Sequence, residues 1–398
     1  MEKDICIYEL PEIAKHYPSS QISMLPLLNA KSIGLINRQQ CYSRFLEGDS
    51  NFVPSGRVAL YHALKLSQVN AGDEVLLPAY HCGSMIEPVI YIGAKPVFYN
   101  LANNLTYKLD DLVSLVSKST KAVILPHFFG FPQKAGLLKE YCDSVGIKLI
   151  EDCAHSFLGF PDKPKLGSVG HFSIASTVKF FPGTQGGALV SNNRESRSVS
   201  PLNTPGLVSE LKSLKHTLEI SKTFKERQKK LVFSFDSKNQ LNEQISTSDY
   251  ECITNEKRVM SNQNFQWFDP KEVSAANTFF NIFIIKHSRY QKIVETRRSN
   301  FHYYLNRIKE IENIKPLHAD IDGVVPYVFP VILADAERYF PQLKLKGVPI
   351  WRWEELALTG CNISEQYRHS LLQLPCHQSI SKNDIDWIID QFKSVLSM

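Results

Sequence analysis

Residues 121–153 read KAVILPHFFGFPQKAGLLKEYCDSVGIKLIEDC, and the order of patterns inside this stretch decides the fold. KAVILPHFFG (121–130) is a short apolar run entering a loop, as a buried strand does. KAGLLKEYCDSVG (134–146) has helical spacing and a stop signal in Gly146. KLIEDC (148–153) is apolar again and closes on an acidic pair, Glu151-Asp152. Strand, helix and strand at this spacing make a parallel crossover unit.

The same rhythm runs outward on both sides. GRVALYHALKLSQ (56–68) predicts a helix opened by Ser55-Gly56, and EVLL (74–77) a strand ending at Pro78. SMIEPVIYIG (84–93) is helical in spacing despite Pro88, KPVFYN (95–100) is a strand, and DDLVSLVSK (110–118) carries acids in its first turn, as the helix dipole favours. FSIAS (172–176) and ALVSN (188–192) add two strands. Helices between apolar strands imply an α/β fold: a three-layer αβα large domain with a mostly parallel sheet covered on both faces. Downstream, 272–308 predicts one or two long helices bridging to a second domain, VPYVFPVIL (325–333) a strand, and DIDWIIDQFKSVL (384–396) a helix. These predict a small C-terminal α+β domain. The expected division is an N-terminal segment over 1–50, a large domain over 51–270 with an irregular, Ser/Lys/Asn/Glu-rich insertion at 195–262 expected to make helical or irregular surface excursions, and the bridging helix and small domain over 271–398.

Composition narrows the partners. Over 398 residues, 43% are apolar, 21% are charged, and the formal net charge is +5. Basic runs such as KTFKERQKK (222–230) are short and lack interleaved aromatics, so a nucleic-acid partner is not expected. No apolar run approaches a membrane span. The opening MEKDICIYELPEI has acids where a signal peptide would carry basic residues. The eight cysteines are scattered, with no CxxC pair, which predicts neither a disulfide scaffold nor a zinc ribbon. The expectation is a cytoplasmic protein.

In open parallel sheets, ligands bind beyond the carboxyl ends of the strands. Four such ends carry polar or titratable groups here: Tyr80-His81-Cys82, His127, Asp152 with His155, and Ser176 to Lys179. The lysine lies in SIASTVKFFPGTQGG (173–187). A Ser-x-x-Lys match alone means little, since about two are expected by chance in a chain this long. Its neighbours give it meaning. Ser55-Gly56 opens a helix whose N-terminus is an anion site. Glu151-Asp152 ends a strand, and Gly186-Gly187 leads the next. Anion cradle, carboxylate and amine at one sheet edge are what pyridoxal 5′-phosphate requires for its phosphate, ring nitrogen and aldehyde.

At these residues the chain resembles the DegT/StrS-type sugar aminotransferases, within the fold type I, aspartate aminotransferase-like enzymes that use pyridoxal phosphate. SGRVALYHAL is similar to the family's SGTxAL turn, AGDEVLLPAY to PGDEVIxPxx, and GAKPVFYN to GAxPVFxD. KAVILPHFFGFP is similar to KAIxxVHxxGxP and IEDCAHSFLG to IEDxAxxxG. GSVGHFSIASTVKFFPGTQGGALVSN corresponds to the lysine segment. The ordered series covers residues 55–192, and RRSNFHYYL, VPYVFPVIL and LLQLPCHQSIS continue it weakly.

The resemblance implies roles. Lys179 would be the Schiff-base lysine and acid–base. Asp152 would pair with the ring nitrogen, and His155 would bond the phenolic oxygen. Ser55, Gly56 and Arg57 would meet the phosphate, with Arg57 standing where the family usually has Thr. The lysine column has two registers: an ungapped count from Phe172-Ser173 lands on Val178, whereas counting back from Gly186-Gly187 lands on Lys179 with Ser176 three before it. Ser176 is the expected phosphate contact, with Ser173 the alternative. The aromatic that stacks on the ring falls in a column occupied by Cys82, with Tyr80 and His81 as neighbouring candidates. The family's NYRM-type segment has no clear equivalent; VMSNQNFQWF (259–268) is nearest. These departures suggest an outlying branch.

The resemblance thus implies an aminotransferase moving nitrogen from an amino acid, glutamate, to a keto acceptor such as a nucleotide-linked sugar, and a homodimer. Two alternatives keep the fold: a cofactor-binding homologue without turnover, and an enzyme with a non-sugar substrate. A Ser176–Lys179 acyl hydrolase would need further motifs, and TSD (247–249) ends in Tyr rather than completing one. Arg297-Arg298 reads as a salt-bridged helix face, and Trp351-Arg352-Trp353 as packing or a substrate wall.

Overall fold

A computed structural model of the chain describes residues 5–29, 33–34, 42–192, 199, 202–234, 256–260 and 264–397. Parts of the N-terminal segment and of the 195–262 insertion, including Thr247 to Asp249, lie outside the described residues.

Twelve strands follow in chain order: β1 (Ile5–Tyr8), β2 (Asn51–Val53), β3 (Glu74–Pro78), β4 (Lys95–Tyr99), β5 (Thr120–Pro126), β6 (Lys148–Asp152), β7 (Phe172–Ser176), β8 (Gly187–Ser191), β9 (Lys257–Met260), β10 (Ile314–Pro316), β11 (Val328–Leu333) and β12 (Leu371–Pro375). The helices are α1 (Gly56–Leu66), α2 (Glu87–Ile92), α3 (Leu109–Val113), α4 (Ala135–Val145), α5 (Leu207–Ser234), α6 (Phe279–His287), α7 (Tyr290–Ile308), α8 (Ala336–Leu345), α9 (Asn362–Ser370) and α10 (Lys382–Leu396). The large sheet runs β2-β8-β7-β6-β5-β3-β4. Its five strands from β7 to β4 pair in parallel, while β8 is antiparallel to both β7 and β2. The three-layer α/β expectation holds.

The parity of each strand shows why the runs are apolar throughout. Val75, Leu77, Ala122, Ile124, Ile150, Ile174 and Leu189 enter a core shared with α1 and α2. Their neighbours Leu76, Val123, Leu125, Leu149, Ala175, Ala188 and Val190 enter the core on the other face, with Leu138 of α4. Alternate residues therefore serve opposite layers, and neither face can be polar.

Pro88 does not break α2 because it occupies the first turn, where no N–H is needed. The helix predicted over 110–118 stops at Val113. The next residue, Ser114, turns its hydroxyl onto the Asp111 carbonyl instead. The region 272–308 forms two helices rather than one, since Ser288 is extended and ends α6. Of the helical or irregular excursions expected for the insertion, the structure describes a helix: α5 is 28 residues long.

α7 runs between two hydrophobic cores. Tyr290 and Ile293 lie in the large-domain core, whereas Phe301, Tyr304 and Ile308 lie in a second core with β11, β12 and α10. There β10-β11-β12 form an antiparallel sheet. β11 starts three residues later than predicted because the Tyr327 backbone N–H donates to Phe129 O at 2.9 Å, tying 325–327 to the large domain. Phe129 takes a left-handed backbone, φ 58°, which costs a bulky residue about 1–3 kcal/mol. Among the described residues, no helix is long and apolar enough to cross a membrane, and no group of three or more His, Cys, Asp or Glu could hold a metal ion.

Candidate active site

Beyond the carboxyl ends of β6 and β7 lies a cavity of about 400 Å³. Ser55, Gly56, Arg57, Asp152, His155, Ser176 and Lys179 all line it. Each arrives there for a local reason.

The cradle is built at the start of α1. Ser55 is extended, and its hydroxyl accepts the Val58 N–H at 3.3 Å, leaving first-turn N–H groups aimed outward. Gly186-Gly187 passes directly beneath. Gly186 N–H donates to Pro54 O at 2.6 Å, and a Cβ on Gly187 would lie 2.2 Å from Ser55 O. A Cβ on Gly56 would lie 3.4 Å from the Ser176 Cβ, so the helix start and the end of β7 touch. Gly187→Ala must push the helix start away. We expect it to destabilise the protein by about 1–3 kcal/mol. Thermal unfolding checks this, and an unchanged midpoint would refute the close approach.

Arg57 has its Nε buried without a hydrogen-bond partner among the described residues. Glu272, which also lines the cavity, has its carboxyl pushed up by burial and drawn back by the Arg57 charge. An orphaned guanidinium nitrogen beside a helix N-terminus is a donor awaiting an anion.

Strand parity separates the two serines. Ser173 lies on the far face, buried, donating to Gly167 O at 2.6 Å. Ser176 follows Ile174 onto the cavity face. The alternative contact Ser173 is therefore not brought to the cavity.

The acidic pair divides in the same way. Glu151 is buried behind the sheet, bonded to His127 Nε2 at 2.9 Å and accepting the N–H groups of Val169 and Gly170. Burial works to raise its pKa, but these partners prevail and hold it low. His127 accepts the Gln133 N–H through Nδ1, so both its ring nitrogens are committed to structure. Asp152 faces the cavity, with Oδ1 accepting the Ala154 N–H at 2.8 Å. Burial raises its carboxyl pKa, opposed by that N–H and by the Lys179 charge.

Lys179 sits on a single 3-10 turn, residues 177–179, closed by the Phe180 and Phe181 N–H groups on Thr177 O. Its amine stands 5.2 Å from the Tyr327 ring centroid. The cavity leaves the amine partly open, yet surrounding atoms are dense enough that burial lowers its pKa, against the pull of Cys82 and Asp152. A lowered lysine pKa leaves more neutral, nucleophilic amine near pH 7.

His155 stacks between Tyr327 (4.6 Å) and Phe129 (5.6 Å), and its Nδ1 accepts the Phe129 N–H at 3.1 Å. Burial and then the Lys179 charge hold its pKa well below the ordinary value, so the ring is neutral with its proton on Nε2.

Two candidates lie outside the cavity. Tyr80 is fully buried on the opposite face, its ring 4.9 Å from Trp353 and its hydroxyl unpartnered among the described residues. His81 stacks on Phe98, while Nδ1 meets Cys82 O and Nε2 accepts the Ala357 N–H. It is a satisfied core histidine, with its pKa pushed down to about 4 by burial. Cys82 does line the cavity, in the column where the resemblance expects an aromatic. Trp353 is both wall and packing: it lines the cavity and packs against Tyr80, Phe128, Phe129 and His155. Trp351 does not reach it and is an exposed residue bridged to Gln373. Thr184, Gln185 and Glu272 complete the rim. Sequence reading passed over these three, although Thr184-Gln185 directly precede Gly186-Gly187.

This fold and site define the class: an α/β protein with an amine, a carboxylate and an anion cradle converging at one sheet edge. Residues 50–225 match the DegT/DnrJ/EryC1/StrS aminotransferase family, which bears out the resemblance read from the motifs. The chain is 32% identical over 144 residues to GDP-perosamine synthase of Vibrio cholerae, covering 35% of this chain and 39% of that protein. It is 31% identical over 156 residues to L-glutamine:2-deoxy-scyllo-inosose aminotransferase of Streptomyces kanamyceticus, covering 38% and 36%. The matched segment thus spans about two fifths of the length of these relatives. Among solved structures, Helicobacter pylori PseC, an aminotransferase involved in pseudoaminic acid biosynthesis, superposes with TM-score 0.62 at 16% identity. That superposition covers 96% of this chain and all of the other. The PLP form of the putative sugar aminotransferase Spr1654 of Streptococcus pneumoniae gives 0.61 at 15%, covering 100% and 99%. At these identities the likeness carries the fold.

Proposed function

We propose that the chain is a pyridoxal phosphate-dependent aminotransferase that passes nitrogen from an amino acid donor, glutamate, to a keto sugar. The observation that carries this reading is the convergence of Lys179, Asp152 and the α1 N-terminus on one cavity. The chain's own groups fit the cofactor. The Ser55-capped helix start, Ser176 and the Arg57 Nε, unpartnered among the described residues, suit a phosphate, and Asp152 suits a ring nitrogen. Bound pyridoxal phosphate would supply a carbonyl that condenses with amines and a ring that draws electrons from the bonds around it.

The residues' work then follows from their surroundings. First-turn N–H groups, the Ser176 hydroxyl and Arg57 anchor the phosphate and fix the register. The Asp152 carboxylate keeps a proton on the ring nitrogen, since a neutral ring would withdraw fewer electrons. His155, its orientation set by the Phe129 N–H on Nδ1, would offer its Nε2–H to the phenolic oxygen. Lys179, whose charged form burial disfavours, is the nucleophile. Its Nζ would also serve as the acid–base, taking a proton from the substrate carbon and giving it back. The names of the similar proteins, a GDP-sugar synthase and a cyclitol aminotransferase, support a sugar-like acceptor.

The test loads the purified protein with pyridoxal phosphate and adds glutamate. The expected result is loss of the visible absorbance with release of 2-oxoglutarate. Binding without conversion would favour a cofactor-binding homologue, and failure to load would end the reading. A panel of keto sugars offered to the aminated form would then identify the acceptor.

A homodimer belongs to the same proposal. Phe279 (65% exposed) of α6 and Leu207 (75%) of α5 lie on one face, because Glu210 accepts the Phe279 and Phe280 N–H groups. Asn281 of α6 donates to Gln185 O on the cavity rim, so a partner covering this face would adjoin the site. Phe279→Glu is expected to shift sedimentation from dimer to monomer; a wild-type monomer would refute it. The six described cysteines are free thiols, which is consistent with a reducing, cytoplasmic location.

A further inference from the structure

Arg297 stands on α7 where the helix passes from the large-domain core to the small one. Its side chain is fully buried. Sequence reading expected Arg297-Arg298 to be a salt-bridged helix face, but both guanidinium groups bond backbone carbonyls. Arg298 Nη1 donates to Ile321 O and Val324 O. Arg297 Nη1 donates to Pro326 O and Tyr327 O, each at 3.0 Å, Nη2 to Lys179 O at 2.7 Å, and Nε to Gln378 Oε1 at 3.1 Å. The guanidinium also lies 4.4 Å over the Phe180 ring, and Gln378 Nε2 donates to Phe180 O at 2.8 Å. Burial lowers its pKa to about 10, which still leaves it charged at neutral pH.

Burying a charge without a carboxylate partner is expensive, and a guanidinium here is more than packing requires. What it joins is informative. One fork spans the carbonyl of Lys179, from the large domain, and the carbonyls of Pro326 and Tyr327, which lead into β11. Tyr327 is the ring facing the Lys179 amine and stacked on His155. We propose that Arg297 is a positioning residue that locks the Lys179 turn to the Tyr327 segment, holding the amine against the crowded cavity wall beside Tyr327, Asp152 and Cys82. Its planar fork reaches the three carbonyls from two separate nitrogens, a spread that a single ammonium lacks.

This rests on the reading of Lys179 as the reactive amine, so the test reads that amine in the protein without cofactor. Competitive acetylation followed by mass spectrometry gives the pH midpoint of residue 179. The groups facing it are Asp152, Cys82, His155 and Tyr327, all left intact. In Arg297→Gln the turn loosens and the amine moves from the crowded wall toward the open cavity, where water solvates it better. The midpoint should then rise toward that of ordinary lysine, and acetylation near pH 7 should slow about tenfold for each pH unit of the rise. Arg297→Lys should restore part of the shift, and Gln378→Leu, which removes only the Nε partner, should give a smaller rise. Circular dichroism identifies the variants that fold. If folded variants melt earlier but keep the wild-type midpoint, Arg297 is merely structural and the proposal falls. If the wild type never loads pyridoxal phosphate yet these midpoints move, the functional reading fails while the positioning role stands.

Discussion

Replacing Lys179 with alanine is expected to abolish transamination, slowing reaction with glutamate by at least about 10²–10⁴-fold, the typical contribution of a positioned acid–base. Borohydride treatment of the loaded wild type should fix the cofactor on the peptide containing residue 179, and should fix none there in the variant. The fold should survive. The amine makes no hydrogen bond among the described residues, and its nearest aromatic partner is the Tyr327 ring at 5.2 Å. Because burial penalises its charge, removing it should leave the melting midpoint unchanged or slightly higher. A fully active Lys179→Ala protein, or cofactor fixed elsewhere in the wild type, would remove the basis of the assignment.

Asp152→Asn should follow closely, with a loss on the order of 10²-fold, comparable to removing one electrostatic contact to developing charge in a buried site. The substitution keeps shape and the contact with Ala154 but cannot hold a proton on a ring nitrogen. It also carries a readout independent of turnover. Asp152 is one of the two groups that raise the Lys179 pKa, so removing its charge should lower the acetylation midpoint of residue 179. That is opposite in sign to the shift expected for Arg297→Gln. A midpoint that stayed put would mean that the two groups do not sense each other.

Much of this was legible in the chain because local and global signals agreed. The crossover pattern from 121 to 153 implies parallel strands, and every strand from β3 to β8 falls where its apolar run lies. The acid, the lysine and the helix start could be found because each sits at a strand or helix end, where position along the chain translates into position at one edge. What failed was direction. Tyr80 and His81 follow a strand end just as Cys82 does, yet they turn into cores. The difference lies in distant partners, Trp353 for one and Ala357 for the other. Arg297 was misread because its partners are carbonyls, which leave no mark in a pattern of charges. Composition leaves helical and irregular structure equally open for the insertion, and packing decides for α5: Ser213, Thr217 and Ser221 form its buried stripe. The register of the lysine looked ambiguous because counts from either side disagreed. A 3-10 turn advances about 120° per residue rather than flipping faces, so Val178 and Lys179 can both line the cavity.

The odd-and-even bookkeeping of the sheet restricts how such a site could drift over evolutionary time. Glu151 and Asp152 are neighbours in the chain, but one anchors a loop behind the sheet and the other faces the reactants. A one-residue insertion upstream in β6 would exchange them, unseating the His127 anchor and placing the longer acid in the chamber. Two-residue changes would preserve the assignment. Homologues of this chain should therefore vary in loop length freely, but within β6 and β7 they should gain or lose residues only in pairs.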